Sequence, residues 1–379
     1  MAWVALQMLY GDRAKYFGLV FGVMFATLLM AQQTSIFVGL MARTANQITD
    51  VREANVWVMD PRVRYVDEPE PMPATDLDRV RSVDGIAWAV PMYKGLTNVR
   101  APGGVLNQVF LLGIDDASLV GAPKTMLLGS VEDLRLPDAI IIDRAGFEFI
   151  WPGEALELGR RVEMNDRTAV IVGISEPAPP FTTFPIVHTR YTNALRFTPG
   201  GRNRMSYVVA RAEDGQAPEA VARHIEATTG LQARTTTEFQ WQTIQYYLQR
   251  TGIPVNFGIT VTLGFIVGAA IVGQTFYIFV VENMKQFGAL KAIGVTNTTL
   301  AGMVLLQGSV VALVGYGLGV GLSAGFFVAT ANVTALRGFY MPWQIMIGTA
   351  GAVLAIMVVS IFASLRRVMV LDPAIVFRG

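Results

Sequence analysis

Four stretches without a single charged side chain constrain this chain more than any other feature. Residues 17–42, 251–281, 292–336 and 338–365 contain no Asp, Glu, Lys or Arg. A bilayer crossing needs about 20 mainly apolar residues, so each stretch can cross, and the third has length to spare for a turn at either end. Composition agrees, with 52% hydrophobic and 16% charged residues, too apolar for an average soluble fold. The long polar part, residues 43–250, lies between the first and second stretches. The expected fold is therefore a membrane α-helical protein with four transmembrane helices and a large α+β extracytoplasmic domain between helices 1 and 2.

Basic residues set the orientation, because they collect on the cytoplasmic side. With the N-terminus inside, the inside segments carry Arg13, Lys15, Lys285, Lys291, Arg366, Arg367 and Arg378 against Asp12, Glu282 and Asp372. The outside loop between the last two spans has only Arg337. Both termini are thus placed in the cytoplasm and residues 43–250 outside, where mixed charges suit a water-facing domain. The first span reads as a retained anchor, since its uncharged run is longer than the apolar core of a cleaved signal. With no cysteine in the chain, disulfides and thiol chemistry drop out.

The expected divisions are a helix at the membrane surface over 1–16, spans over 17–42, 251–281, 298–331 and 345–365, the outer domain with its stalk over 43–250, a short helix over 282–297 and a tail over 366–379. Residues 1–16 have two readings, an interfacial helix with Trp3, Tyr10 and Tyr16 in the headgroup layer, or a plain flank. In the first span, Gln32, Gln33, Thr34 and Ser35 are costly against lipid. They either hydrogen-bond to other helices or line a candidate substrate cleft, for which Gln32, Gln33 and Thr34 are the residues. Gly264 and Gly268 in one span, and Gly315, Gly317, Gly319, Gly321 and Gly325 in the next, permit close helix approach and favour a packed, dimeric bundle.

The outer domain is expected to hold an alternating strand over 55–59 and a helix over 75–82. Strands follow over 86–93, 95–100, 108–114, 139–143, 161–164, 169–175 and 206–211, then a helix over 218–229 and a strand over 232–236. Two subdomains fit this order better than one sheet. Residues 238–250 read as a stalk, one continuous helix running into the second span. Catalysis finds no seat: His188 and His224 lie apart with no metal-binding pattern around them and read as surface or hydrogen-bonded histidines. No G-x-S-x-G or phosphate-binding G-x-x-x-x-G-K-[ST] occurs, so this chain is not expected to be an enzyme or to hold ATP itself. No basic patch supports nucleic-acid binding.

Between the second and third uncharged stretches runs VENMKQFGALKAIGVTNTTL, residues 281–300. Phe287, Leu290 and Ile293 recur at helical spacing, so an apolar face can press into a partner while Lys285 and Lys291 stay solvated, and Gly294 closes the helix. Periodicity alone leaves a coupling element and an ordinary loop as the two readings. The pattern E-R-x-x-E-I-G-x-L-[KR]-A-[LIM]-G-A of FtsX-like permeases, the MacB-type membrane subunits of ABC systems, resembles this stretch. Glu282, Lys285, Phe287, Gly288, Leu290, Lys291, Ala292, Ile293 and Gly294 fall at matching places, while Gln286 replaces a frequent second Glu and Asn283–Met284 a basic pair. Residues 364–378, SLRRVMVLDPAIVFR, resemble the family's closing motif. Residues 43–250 match only in length and position.

The resemblance implies a permease subunit of an ABC exporter in the bacterial inner membrane, working as a homodimer with two cytoplasmic ABC ATPase subunits that hold the ATP and magnesium. Glu282, Met284, Lys285, Phe287, Gly288, Leu290, Lys291, Ile293 and Gly294 would form the ATPase-coupling surface. The outer domain, split into a part near the membrane and a part further out, would move with ATP turnover and engage cargo or a periplasmic membrane-fusion adaptor leading to an outer-membrane channel. Within the family the resemblance points to the adaptor-linked, DevC-like branch, which would export a lipophilic or amphiphilic substrate by mechanotransmission. The alternative implied by the same family is a transmembrane signalling protein that regulates an envelope hydrolase and transports nothing.

Overall fold

Helices occupy both ends of the chain and strands fill its middle. In order they are α1 (Ala2–Gly11), α2 (Arg13–Thr49), β1 (Val56–Met59), α3 (Thr75–Arg81), β2 (Ile86–Arg100), β3 (Leu106–Ile114), β4 (Met126–Leu128), β5 (Ala139–Asp143), α4 (Arg144–Ile150), β6 (Arg161–Met164), β7 (Arg167–Ser175), β8 (Ile186–Arg190), α5 (Tyr191–Phe197), β9 (Tyr207–Ala212), α6 (Pro218–Thr229), β10 (Gln232–Thr235), α7 (Thr236–Arg250), α8 (Ile253–Glu282), α9 (Met284–Ala292), α10 (Asn297–Ala329) and α11 (Trp343–Met369). This computed structural model describes residues 1–101, 103–181, 184–200, 205–331, 333 and 336–369. The closing motif lies mostly outside the described residues. The chain forms two units, Met1–Gly39 with Gly252–Gly379, and Leu40–Thr251.

In the first unit, four helices among the described residues are long and apolar enough to cross a membrane: α2, α8, α10 and α11. Glycines decide how closely they approach α2. A Cβ on Gly268 of α8 would lie 2.3 Å from Ala26 Cβ, and one on Gly319 of α10 would lie 2.7 Å from Met24 O and 2.6 Å from Thr27 Cβ. Gly315 is as tightly placed against Val23 and Val20 O. Small residues thus give the backbones the contact that apolar transfer cannot supply between helices in lipid. By contrast, Gly317, Gly321 and Gly325 have nothing within 4 Å of an added Cβ. Helix α1 is built into this bundle: Ala5, Met8 and Leu9 are buried in its core, and Gln307 Nε2 of α10 donates to Ala5 O at 2.8 Å. Its Trp3 stays exposed.

The strands of the second unit join, among the described residues, into one hydrogen-bonded sheet of ten, which corrects the expectation of two subdomains in preference to one sheet. The reason is β2. Expected as two strands, it runs extended through Pro91 and Gly95 for 15 residues. Its first part pairs with β9, from Ile86↔Ala212 to Met92↔Tyr207, and its second with β3, from Tyr93↔Gly113 to Arg100↔Leu106. Trp57, Met92, Leu112, Ile186 and Tyr207 share one core cluster across this join. Beyond the join, β2 pairs β3, β3 pairs β8, β8 pairs β5, β5 pairs β7, β7 pairs β6 and β6 returns to β2. Six strands therefore close into a ring around Val99, Leu111, Ile140, Ile171 and Val187, and a closed sheet leaves no free edge within the ring.

Other local differences have similar causes. The strand expected to alternate, β1, is buried at all four positions, because Val56 and Val58 face the cluster under α3 and α6 while Trp57 and Met59 face the other side. Helix α6 starts at Pro218, at the position that tolerates a missing N–H. Helices α4 and α5 and strands β4 and β8 were not expected; each has only three to seven residues, too few for periodicity to register. Instead of a stalk continuous with the second span, α7 ends at Arg250 and Thr251 is extended, at φ −119° and ψ 158°. Pro254, in the first turn of α8, cannot donate and its ring would collide with the carbonyl four residues earlier, at Arg250.

Candidate functional site

The segment between α8 and α10 is held by caps at both ends. At its start the Asn283 backbone N–H and its side-chain Nδ2 both donate to Phe279 O, at 3.2 and 2.8 Å. Phe287 N–H then donates to Asn283 O at 3.0 Å, so this one buried asparagine turns α8 into α9. At its end Gly294 takes φ +95°, a left-handed conformation that glycine adopts without strain. Gly294 N–H donates to Lys291 O, and Val295 N–H to Leu290 O, both at 3.1 Å, satisfying the last carbonyls of α9. Thr296 Oγ1 then accepts from Thr299 N–H at the start of α10.

Burial divides the expected docking face. Phe287 is fully buried in the span core with Phe276, Phe279, Val280, Leu300 and Val304, and Leu290 and Met284 pack partly against the same cluster. Gly288 is buried with them. Ile293, by contrast, is 77% exposed. The expectation that Phe287, Leu290 and Ile293 form one outward face is therefore corrected: only Ile293 faces out. Burying a phenylalanine is favourable by about 1.5–3 kcal/mol, and the nearest apolar surface for a nine-residue helix between two spans is the spans themselves. The outward face consists of Lys285, Gln286, Ala289, Ala292 and Ile293, with Lys291 half-buried.

Glu282, exposed at the end of α8, forms an ion pair with Lys15 at the start of α2, and Lys15 also pairs with Asp12. These contacts tie the start of α2 to the end of α8, next to α9. The separation in sequence, 267 residues, is why reading along the chain missed Lys15. Gln32, Gln33 and Thr34 stand apart from this segment, about 26 Å further along α2 at 1.5 Å per residue. They are half-buried, and among the described residues no hydrogen bond reaches their side chains. Ser35 beside them is buried, and its hydroxyl has no partner among the described residues.

In the second unit His224 is exposed on α6. His188 departs from expectation. It lies on β8 opposite Leu112 and Ile141, is 5% exposed, and its Nδ1 has no hydrogen-bond partner among the described residues. Burial alone lowers its pKa from 6.5 to about 4, so the imidazole is neutral at pH 7. No group of three or more His, Cys, Asp or Glu suited to a metal ion occurs among the described residues.

Comparison with known proteins agrees with this architecture. The model for the MacB-like periplasmic core domain matches residues 16–228, and that for the FtsX-like permease C-terminal domain matches residues 258–373. Two uncharacterized ABC transporter permeases, from Mycobacterium tuberculosis and Mycobacterium bovis, are each 35% identical over 125 residues, 32% of this chain. The matched part spans 33% of those relatives' length. Among solved structures, the periplasmic region of MacB from Actinobacillus actinomycetemcomitans is similar at 13% identity and a TM-score of 0.37, over 54% of this chain and 96% of that one. The extracellular domain of the noncanonic ABC-type transporter YknZ from Gram-positive bacteria matches at 15% identity and a TM-score of 0.35, over 48% and 98%. With the first of these domain models alone covering more than half of its residues, and the second covering α9 and the spans on either side of it, the chain belongs to the family of FtsX-like permeases with a MacB-like periplasmic core domain.

Proposed function

We propose that this chain is the membrane subunit of an ATP-driven ABC exporter, using a separate cytoplasmic ATPase to move its outer domain. The observation that carries the reading is the two-sided build of α9. Its inner face, Phe287 with Leu290, is packed into the span core, and its outer face, Lys285, Gln286, Ala289, Ala292 and Ile293, is open. A force on the outer face reaches α8 and α10 through packed side chains, and α2 through the Glu282–Lys15 pair. Names of the mycobacterial relatives support an ABC assembly. ATP and magnesium then belong to the partner, and the chain itself is non-catalytic. The full machine is read as a permease homodimer with two ATPases in the bacterial inner membrane, both termini cytoplasmic. Outside, a membrane-fusion adaptor and outer-membrane channel would receive a lipophilic or amphiphilic substrate, with Gln32, Gln33 and Thr34 as candidate cleft residues.

The test is co-purification with the cognate ATPase in lipid, together with ATP turnover. Ala289→Asp with Ile293→Asp changes only outward positions and is expected to abolish the complex and its stimulated turnover while leaving thermal unfolding unchanged. Phe287→Ala is expected to act differently, lowering the stability of the bundle by about 3–5 kcal/mol. An intact complex with full turnover in the outward double variant would remove α9 as the docking element.

A further inference from the structure

Lys94 lies on β2 just past the point where that strand changes partners: Met92 is the last residue paired with β9, the run paired with β3 begins at Tyr93, and Lys94 stands opposite Leu112. The Ser206 hydroxyl bridges the changeover, accepting from Lys94 N–H at 2.9 Å and donating to Lys94 O at 3.0 Å. Although charged, the Lys94 side chain is only 2% exposed. Its ammonium donates to Val66 O at 3.0 Å, pairs with the Asp67 carboxylate, and stands 5.0 Å from the centre of the Phe110 ring. A cavity of about 260 Å³, walled by Pro69, Pro71, Leu96 and Phe110, adjoins the pair.

Val66 and Asp67 belong to a segment that lies along α7. Gln242 Nε2 donates to Val63 O and Arg64 O, each at 3.2 Å. The Tyr65 ring stacks on Tyr246 with centroids 4.0 Å apart. Val66 N–H donates to Thr243 Oγ1 at 3.3 Å, and Tyr247 OH donates to Asp67 Oδ2 at 3.2 Å. Residues 63–67 are thus splinted to α7, and Lys94 fastens the splint to the six-stranded ring. Helix α7 ends three residues before α8 begins.

Burying an ion pair costs so much desolvation that an apolar pair of equal volume is often as stabilising. Stability is thus a poor reason for this one, whereas its placement between α7 and the ring is specific. We propose that Lys94 and Asp67 are positioning residues that fix the six-stranded ring to α7, so that a displacement of α7 carries the ring with it. The inference rests on the transmission reading above, because only Thr251 and Gly252 separate α7 from the second span.

The test uses the full chain in lipid nanodiscs with spin labels on cysteines introduced at Gln245 of α7 and Arg167 of the ring. Their distance distribution is read without ATPase, alongside hydrogen exchange and thermal unfolding. In Lys94→Met with Asp67→Leu, which restores apolar packing, the distribution is expected to broaden. Amides of residues 63–67 and 93–96 should then exchange about tenfold faster, while those of the remote β7 and the melting temperature stay as in the wild type. A distribution identical to the wild type overturns the proposal. If the double variant unfolds early, Tyr247→Phe, which removes one hydroxyl, decides by the same two readings. ATP with the partner ATPase is added afterwards. A wild type that binds the ATPase but shows no ATP-driven distance change refutes the transmission reading, and is distinct from any loss of fixing seen without ATP.

Discussion

A neutral histidine buried on the outer face of the strand ring, beside Leu112 and Ile141, makes this protein's stability depend on pH. The unfolded chain takes up a proton near 6.5, whereas His188 in the fold resists it until about 4. Above 6.5 neither state is protonated there and nothing is lost. As pH falls from 6.5 to about 4 only the unfolded state binds the proton, so stability declines, by roughly 3 kcal/mol in all, and below that range this contribution levels off. Thermal unfolding of the full chain between pH 7 and 4 should show the decline, and His188→Gln should flatten that part of it. A variant with an unchanged pH profile would mean that the buried imidazole is protonated in the fold. At the same scale, Phe287 shows the limit of reading a helix in isolation. Helical spacing correctly joins Phe287 to Leu290, yet spacing has no term for which neighbour covers them. Ile293, at the same spacing, ends up exposed because the chain turns at Gly294.

At the scale of elements, two glycine runs that look alike in sequence behave differently. Gly319 sits against the backbone of α2, with Met24 O at 2.7 Å from an added Cβ, and Gly321 meets nothing within 4 Å. Gly319→Val is therefore expected to destabilise the bundle by roughly 1–3 kcal/mol, since backbone rather than a flexible side chain must move. Gly321→Val should leave thermal unfolding in detergent nearly unchanged, and equal losses in the two variants would refute this packing. The same scale separates what was legible in the outer unit. Helix α6, with its proline start and following glycine, and β5, a run of buried aliphatics, were readable where they fold. The unity of β2 was not. Pro91 and Gly95 are ordinary breakers in a sequence, and here they are tolerated because β9 pairs one part of the strand and β3 the other.

For the whole molecule, the prediction concerns topology. A chain without cysteine accepts single reporters cleanly. Val105→Cys, on an exposed turn of the second unit, should react with a membrane-impermeant maleimide in intact cells, and Ala292→Cys only after permeabilisation. The reverse pattern would invert the orientation drawn from Arg13, Lys15, Lys285 and Lys291, and with it the placing of an ATPase at α9.

By itself the sequence determined that four helices could span a membrane and that a polar domain falls between the first two, because long uncharged runs and their basic flanks depend on solvent and length alone. It also carried the capped segment after α8, since Asn283 and Gly294 act within a turn or two of their own positions. Tertiary structure decided the rest: which face of α9 is open, the Lys15–Glu282 pair, the closure of six strands into a ring, and the burial of Lys94 and His188. Each depends on partners far away in the chain, from the sequence separation of 27 between Lys94 and Asp67 to that of 267 between Lys15 and Glu282, and local propensity does not reach that far.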